Sequence, residues 1–135
     1  IRITLVTISS MEQNPLPEPF TPKITLTELH YGPHSFVDQI HDDDQEIVVI
    51  NTEHVDSARF AAIDMLVRKT PFTRIVILCP QLTADQVRAV ISIGVTGVLL
   101  HHDMNENFYD LAHLILRGKI VLSRSLMQDL VLEPT

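Results

Sequence analysis

The feature that most constrains the fold is a run of alternating strand and helix patterns across residues 74–118. It opens with a continuous apolar segment, 74–79, which is typical of a strand buried on both faces of a sheet. A helical pattern follows, in which Thr83 is placed to cap the first turn, Gln86 to complete a capping box, and Gly94 to end the helix. The first half of the run therefore predicts one strand followed by one helix.

The second half of the run repeats that order. A short apolar segment at 98–100 is followed by an apolar helical stripe that Gly118 is placed to end. Asp103 and Glu106 have the spacing of a second capping box at the start of that helix. Strands that alternate with helices in this way predict a mostly parallel sheet with helices on both faces.

Other elements extend the pattern on both sides. Predicted strands lie at 3–6, 24–27 and 47–50, the second as an edge strand, and predicted helices lie at 33–40, at 56–69 and after Ser123. The apolar face assigned to the helix at 56–69 consists of Ala58, Ala61, Ala62, Met65 and Leu66. The chain is therefore expected to form an α/β domain with five strands.

The connection between the first two predicted strands is unusual, because parallel neighbours normally need a crossover helix there. This connection contains Pro15, Pro17, Pro19 and Pro22. Proline fixes φ and lacks a backbone N–H donor, so a regular helix is excluded from Pro15 onward. The first helix is therefore expected to be short or missing, with the proline-rich segment 12–22 as an extended connection.

Length and charge narrow the class of protein. The 135 residues suit one domain, and the sequence contains neither a membrane-spanning run nor a signal-peptide pattern, which predicts a cytoplasmic protein without a membrane partner. The net charge of −7 argues against direct binding to nucleic-acid backbones. We expect residues 1–132 to form the domain and 133–135 to begin a linker to a further domain.

Three segments carry a resemblance to a known family. Residues 77–79, 93–101 and 117–123 read Ile-Leu-Cys, Ile-Gly-Val-Thr-Gly-Val-Leu-Leu-His and Arg-Gly-Lys-Ile-Val-Leu-Ser. They resemble segments of response-regulator receiver domains, in particular those attached to LuxR/NarL-type helix-turn-helix domains. The resemblance implies a receiver-like (flavodoxin-like) three-layer sandwich, with five parallel strands in the order 2-1-3-4-5. It also implies a helix-turn-helix domain beyond the linker.

The same resemblance places the receiver phosphorylation site on positions that lack its chemistry. Asn51 takes the place of the phosphoacceptor Asp, Thr7 and Ile8 those of the acidic Mg²⁺-binding pair, Cys79 that of the switch Thr or Ser, and His101 that of the phosphate-pairing Lys. An amide is not a phosphoryl acceptor, and none of these side chains is a carboxylate ligand for Mg²⁺. The resemblance therefore implies a pseudo-receiver without catalytic residues, metal, cofactor or enzymatic activity.

Alternatives stay open at three of these positions. Asn51 could bond a ligand in the old pocket or only satisfy backbone groups at the strand end. Cys79 could be a redox-sensitive thiol, although a buried inert thiol is the simpler interpretation. His101 and His102 could bind a metal, but adjacent histidines at a strand end point to opposite sides and form a poor chelating pair.

The helix predicted from 104 to 117 carries more apolar side chains than one buried face needs. Phe108, Leu111, Leu114 and Ile115 would form an exposed apolar patch, because the first helix that covers this helix in receivers is largely replaced. Either the proline-rich segment covers the patch or a second copy of the chain does. We expect a homodimer through these four residues.

Two functions follow from the resemblance as expectations. The first is a phosphorylation-independent regulatory and dimerisation domain of an atypical response regulator, which contacts DNA only through its C-terminal domain. The alternative is a sensor that binds a small molecule in the vestigial phosphoacceptor cleft, formed by Thr7, Ile8, Asn51, Cys79 and His101. An enzyme or a flavin binder is disfavoured, because no phosphate-binding glycine-rich loop follows the first strand.

Overall fold

The computed structural model of the chain describes residues 1–8, 25–31, 36–103 and 108–127, with only the backbone path at 25–31. The strands are β1 (Arg2–Ile8), β2 (Thr25–Tyr31), β3 (Ile47–Thr52), β4 (Arg74–Cys79), β5 (Gly97–Leu100) and β6 (Val121–Leu122). The α-helices are α1 (Ser57–Lys69), α2 (Ala84–Ser92) and α3 (Phe108–Leu116), and short 3-10 helices lie at Val37–Gln39 and His101–Asp103. A helical turn at 124–127 follows β6.

One sheet organises these elements. Its strand order is β2-β1-β3-β4-β5-β6, and every neighbouring pair is parallel. The sequence predicts five strands in the order 2-1-3-4-5, and the number is wrong because β6 pairs with β5 at one edge. β6 is only two residues long, which is too short for an alternating pattern to reveal it.

The run at 74–118 folds as predicted where the structure describes it. Thr83 caps α2, and its hydroxyl and the side chain of Gln86 form the predicted capping box. Gly94 ends α2 with φ of +113° and Gly118 follows α3 with φ of +87°, a backbone region that favours glycine. The second predicted capping box cannot be followed, because Glu106 lies outside the described residues.

The remaining predictions have mixed outcomes. α1 begins where predicted, since the Asp56 carboxylate accepts a hydrogen bond from the Arg59 backbone N–H at 2.8 Å. The short helix predicted at 33–40 is, in its described part, a single turn of 3-10 helix at Val37–Gln39. The proline-rich segment 12–22, the position of the first helix and the linker at 133–135 lie outside the described residues.

The sheet separates two hydrophobic cores and gives the domain three layers. On one face α1 and α2 pack through Ile63, Leu66, Val87 and Val90 on side chains that include Ile8, Ile50 and Ile77. On the other face α3 packs through Phe108, Ala112 and Ile115 on side chains that include Leu5, Val49 and Leu78. No helix within the described ranges is long and apolar enough to cross a membrane.

A buried polar network joins the amino ends of β1 and β4 to the loop before β3. The side chain of Gln45 is its centre: its amide N–H donates to the His41 carbonyl at 2.7 Å, and its amide oxygen accepts from Thr4 Oγ1 at 2.9 Å. Gln45 Nε2 also lies 3.3 Å from Thr73 Oγ1, which donates to Asp42 Oδ1 at 2.8 Å. Burying a polar group is unfavourable unless the group is hydrogen-bonded, and here the partners lie on different segments. The network therefore holds these segments together.

Candidate functional site

The carboxyl ends of the parallel strands form the edge at which open α/β sheets bind ligands. Thr7 of β1 lies beside Asn51 of β3 in the strand register, and Ile8 lies beside Thr52. Cys79 ends β4, and His101 follows β5 in a 3-10 helix. The topology therefore brings the five residues of the predicted cleft to one edge of the sheet.

Asn51 and His101 contact each other across the end of β4. His101 Nε2 lies 2.8 Å from Asn51 Oδ1, and because an amide oxygen can only accept, the ring nitrogen is the donor. Asn51 is 7% exposed and His101 is half-buried. The interpretation that Asn51 serves only backbone groups is therefore wrong, because its side chain binds another side chain.

The Asn51–His101 pair differs from an ion pair of a carboxylate and a cation, because neither of its members is charged at neutral pH. Burial lowers the pKa of His101 from its usual 6.5, so its imidazole is neutral at pH 7. The partner is an uncharged amide. Two neutral groups therefore occupy the positions at which the family resemblance places a phosphoacceptor Asp and its Lys.

Cys79 lies beside this pair as a protonated thiol. Its side chain is fully buried, and Sγ lies 3.4 Å from the Glu53 carbonyl and 3.3 Å from the Gln81 carbonyl. Burial raises the pKa of the thiol, against smaller lowering effects of the contact with Gln81 and the charge of Arg59. Since the thiolate is the reactive form, this environment favours the inert interpretation of Cys79.

β1 brings no charge to the edge. Ile8 is 2% exposed and belongs to the core under α1 and α2, so it offers the cleft no polar atom. Thr7 is half-buried. Among the described residues, no group of three or more His, Cys, Asp or Glu side chains is arranged to hold a metal ion.

A buried cation that the sequence analysis missed lies at the rim of this edge. Arg59, in the first turn of α1, is 6% exposed. Its Nη1 atom contacts His54 Nε2 and lies 3.5 Å from Asp56 Oδ2. Its Nε atom is buried without a hydrogen-bond partner in the described part of the chain. The guanidinium therefore has unsatisfied hydrogen-bonding capacity close to Cys79.

The spacing of α1 contains the signal that would have found Arg59. The buried positions of this helix are Arg59, Ala62, Ile63 and Leu66, which follow the i, i+3, i+4, i+7 pattern of one helix face. The predicted face is wrong in three positions, because Ala58, Ala61 and Met65 are exposed. Because Arg59 is charged, the buried face of α1 has a lower apparent hydrophobicity, and the face that contains the alanines fits an apolar stripe as well.

Of the four residues predicted to form a dimer surface, two lie in the core of the monomer. Phe108 and Ile115 are 0% exposed and pack on the sheet, so the prediction that they contact a second chain is wrong. Leu114 is 41% exposed and Leu111 is half-buried. The apolar surface of α3 is therefore narrower than the sequence indicates.

Solved structures with similar folds include response regulators and pilus-assembly proteins. A LuxR-family two-component response regulator from Aurantimonas sp. SI85-9A1 has a TM-score of 0.75 at 14% identity, over 96% of this chain and 94% of that chain. The RcsB response regulator of Salmonella typhimurium, in a structure concerned with DNA interaction, has a TM-score of 0.71 at 11% identity, over 96% of this chain and 66% of that chain. A Burkholderia thailandensis protein assigned to pilus assembly (CpaE) has a TM-score of 0.66 at 16% identity, over 88% of this chain and 99% of that chain.

No protein-family model matches the sequence, and no curated protein matches it. At these identities a structural likeness establishes the fold and leaves the function to be argued from the site. The resemblance to receivers that the sequence predicts is confirmed at that level. The chain has the α/β fold of response-regulator receiver domains.

Proposed function

We propose that this domain is a phosphorylation-independent regulatory domain of an atypical response regulator that controls transcription in the cytoplasm. The observation that carries the proposal is the hydrogen bond between His101 and Asn51. Receiver-type phosphoryl transfer needs a carboxylate nucleophile, carboxylates that hold Mg²⁺, and a cation that pairs with the phosphoryl group. At the corresponding positions this chain has an amide, two uncharged side chains on β1 and a neutral imidazole.

Each of these substitutions works against the same reaction. The amide oxygen of Asn51 already accepts a hydrogen bond, and the amide nitrogen is not nucleophilic. A phosphoryl group would add a charge of about −1.5 to −2 at neutral pH. Arg59, a buried cation at the rim of this edge, already contacts His54 and Asp56. The phosphoacceptor position therefore has no nucleophile, and the phosphate-pairing position has a neutral imidazole instead of a cation.

Intact-mass measurement after treatment with acetyl phosphate and Mg²⁺ tests this proposal. The wild-type domain should keep its unmodified mass. Asn51→Asp is the matched variant, because it restores a carboxylate of nearly the same shape and leaves every other cleft residue unchanged. A stable adduct of one phosphoryl group on the wild type would contradict the proposal.

We also propose that the domain forms a homodimer and that DNA is contacted by a separate helix-turn-helix domain. Leu114 is 41% exposed and Ile120 is 55% exposed, and the Lys119 N–H donates to the Leu114 carbonyl at 3.1 Å, which keeps this end of α3 close to Ile120. A two-fold contact would bury this apolar surface on both chains. The net charge of −7 is unfavourable for DNA contact by this domain itself. The RcsB structure concerns DNA interaction, and this fold spans 66% of that chain.

Sedimentation of the wild type, Leu114→Glu and Met65→Glu tests the dimer. Met65 is 61% exposed on α1, so it offers the same kind of change on another helix. We expect a dimeric wild type, a monomeric Leu114→Glu and a dimeric Met65→Glu, with circular dichroism to show that all three are folded. A folded Leu114→Glu of dimer mass would place the interface elsewhere.

The second candidate function is sensing of a small molecule, and the orphaned Nε of Arg59 favours it. A buried N–H without an acceptor is destabilising, so an oxygen atom from a bound water or ligand would satisfy it. A thermal-shift screen of metabolites with carbonyl or carboxylate groups tests this function, because a ligand raises the melting temperature by mass action. A genuine cleft ligand should lose its effect in Arg59→Lys and in Asn51→Leu. A compound that binds both variants as well as the wild type does not use the cleft.

A further inference from the structure

The 3-10 helix His101–Asp103 contacts two parts of the domain at once. On one side His101 donates its hydrogen bond to Asn51 at the end of β3. On the other side His102 Nε2 lies 3.4 Å from Ser125 Oγ, in the helical turn that follows β6. A single turn of chain therefore bridges the cleft and the segment that leads toward the C-terminus.

In the described part of the chain, the C-terminal segment 123–127 forms hydrogen bonds with β5 and with this turn. Ser123 Oγ accepts a hydrogen bond from the Leu100 N–H at 2.7 Å, and the Ser123 N–H donates to the Val98 carbonyl at 3.0 Å. Leu126 is 2% exposed and packs in the core under α1 and α2. β6 itself is only two residues long, so it contributes few backbone hydrogen bonds. The position of the segment is therefore sensitive to the end of β5.

We propose that the 3-10 helix couples the cleft to the C-terminal segment, so that the order of residues 123–127 depends on the hydrogen bond between Asn51 and His101. The inference rests on the proposed function in taking the cleft as the regulatory site. His101 and His102 are consecutive residues of one turn, so a shift of the backbone in this turn moves both side chains together. A cleft occupant that takes the Asn51 acceptor releases His101, and with it the contact of His102 with Ser125.

The coupling is reciprocal, because two sites that share one equilibrium affect each other equally. Loosening the C-terminal segment weakens the bond between Asn51 and His101. His101 then spends more time exposed to water, and its pKa rises toward the ordinary value. A rise in the pKa of His101 on loosening the C-terminal segment therefore indicates coupling, because a purely local structural role of Asn51 does not predict it.

Amide hydrogen exchange tests the forward direction without any ligand or phosphodonor. In Asn51→Ala we expect the acceleration of exchange in peptides that cover 119–127 to exceed the acceleration in α1 by about five- to tenfold. Thr73→Ala is the matched control, since it removes buried hydrogen bonds at the opposite end of the sheet. It should accelerate α1 and 119–127 by the same factor. Uniform acceleration in Asn51→Ala as well would overturn the proposal.

An NMR titration of His101 tests the reverse direction on a variant that leaves the core untouched. Ser125→Ala should raise the pKa of His101 toward its ordinary value. An unchanged His101 titration in the folded variant would overturn the coupling. Neither measurement depends on phosphorylation, so a failure here would leave the pseudo-receiver proposal to its own mass-spectrometric test.

Discussion

The bond between Asn51 and His101 leads to a quantitative prediction about stability. Asn51→Leu keeps the side-chain volume nearly constant and removes the hydrogen-bond acceptor. The His101 N–H would then face an apolar group, and a buried donor left without a partner costs about 1–3 kcal/mol. Because His101 is half-buried, water reaches part of the ring, and we expect a loss near the lower end, about 1 kcal/mol in the free energy of unfolding.

The double variant Asn51→Leu with His101→Leu makes the test selective. Replacing both partners of a hydrogen bond by apolar groups of similar shape is nearly neutral, so the double variant should unfold within about 0.5 kcal/mol of the wild type. The sum of the losses in the two single variants should then exceed the loss in the double variant by about 1 kcal/mol or more. Urea unfolding at neutral pH, followed by circular dichroism with a common m-value, measures all four proteins. Single losses that add up to the double loss within about 0.3 kcal/mol would refute the reasoning.

Three further predictions concern titration, reactivity and packing. Stability should fall as the pH drops below about 6.5, because the unfolded chain binds a proton on His101 before the folded chain does, and His101→Gln should flatten that part of a urea-midpoint profile. Cys79 should react with iodoacetamide much more slowly in the native domain than in urea, since it is buried and its pKa is raised by burial; equal rates would contradict this. Gly97→Ala should destabilise the domain by about 1–3 kcal/mol in urea unfolding, because its Cβ would lie 2.9 Å from Val76 Cγ2. Gly118→Ala, with no atom within 4 Å and φ of +87°, should cost only backbone strain of about 1 kcal/mol.

Local signals made much of the fold predictable. Thr83, Gln86 and Gly94 fix the ends of α2 through contacts within a few residues, so the sequence alone locates that helix. α1 shows where such signals stop. Its alanines fit an apolar stripe as well as the true buried face does, and the burial of Arg59 depends on its contacts with His54 and Asp56. A hydrophobic pattern contains no information about those polar partners.

The candidate site was predictable by position and not by contact. The family resemblance identifies Asn51 and His101 as equivalent to reactive receiver residues, yet these two residues are 50 positions apart, and two neutral polar groups have many possible partners. Only the strand register and the turn after β5 bring them together. The same limit explains Phe108 and Ile115, since the width of an apolar stripe does not reveal how much of it the sheet covers.

The network around Gln45 has a consequence for how this domain can change over evolutionary time. It fastens the sheet at the end away from the cleft, and the two cores hold its middle. The polar side chains Asn51 and His101 at the opposite edge belong to neither the network nor the cores, so substitutions there leave both in place. The chemistry of the cleft can therefore change through a few substitutions while the domain continues to fold.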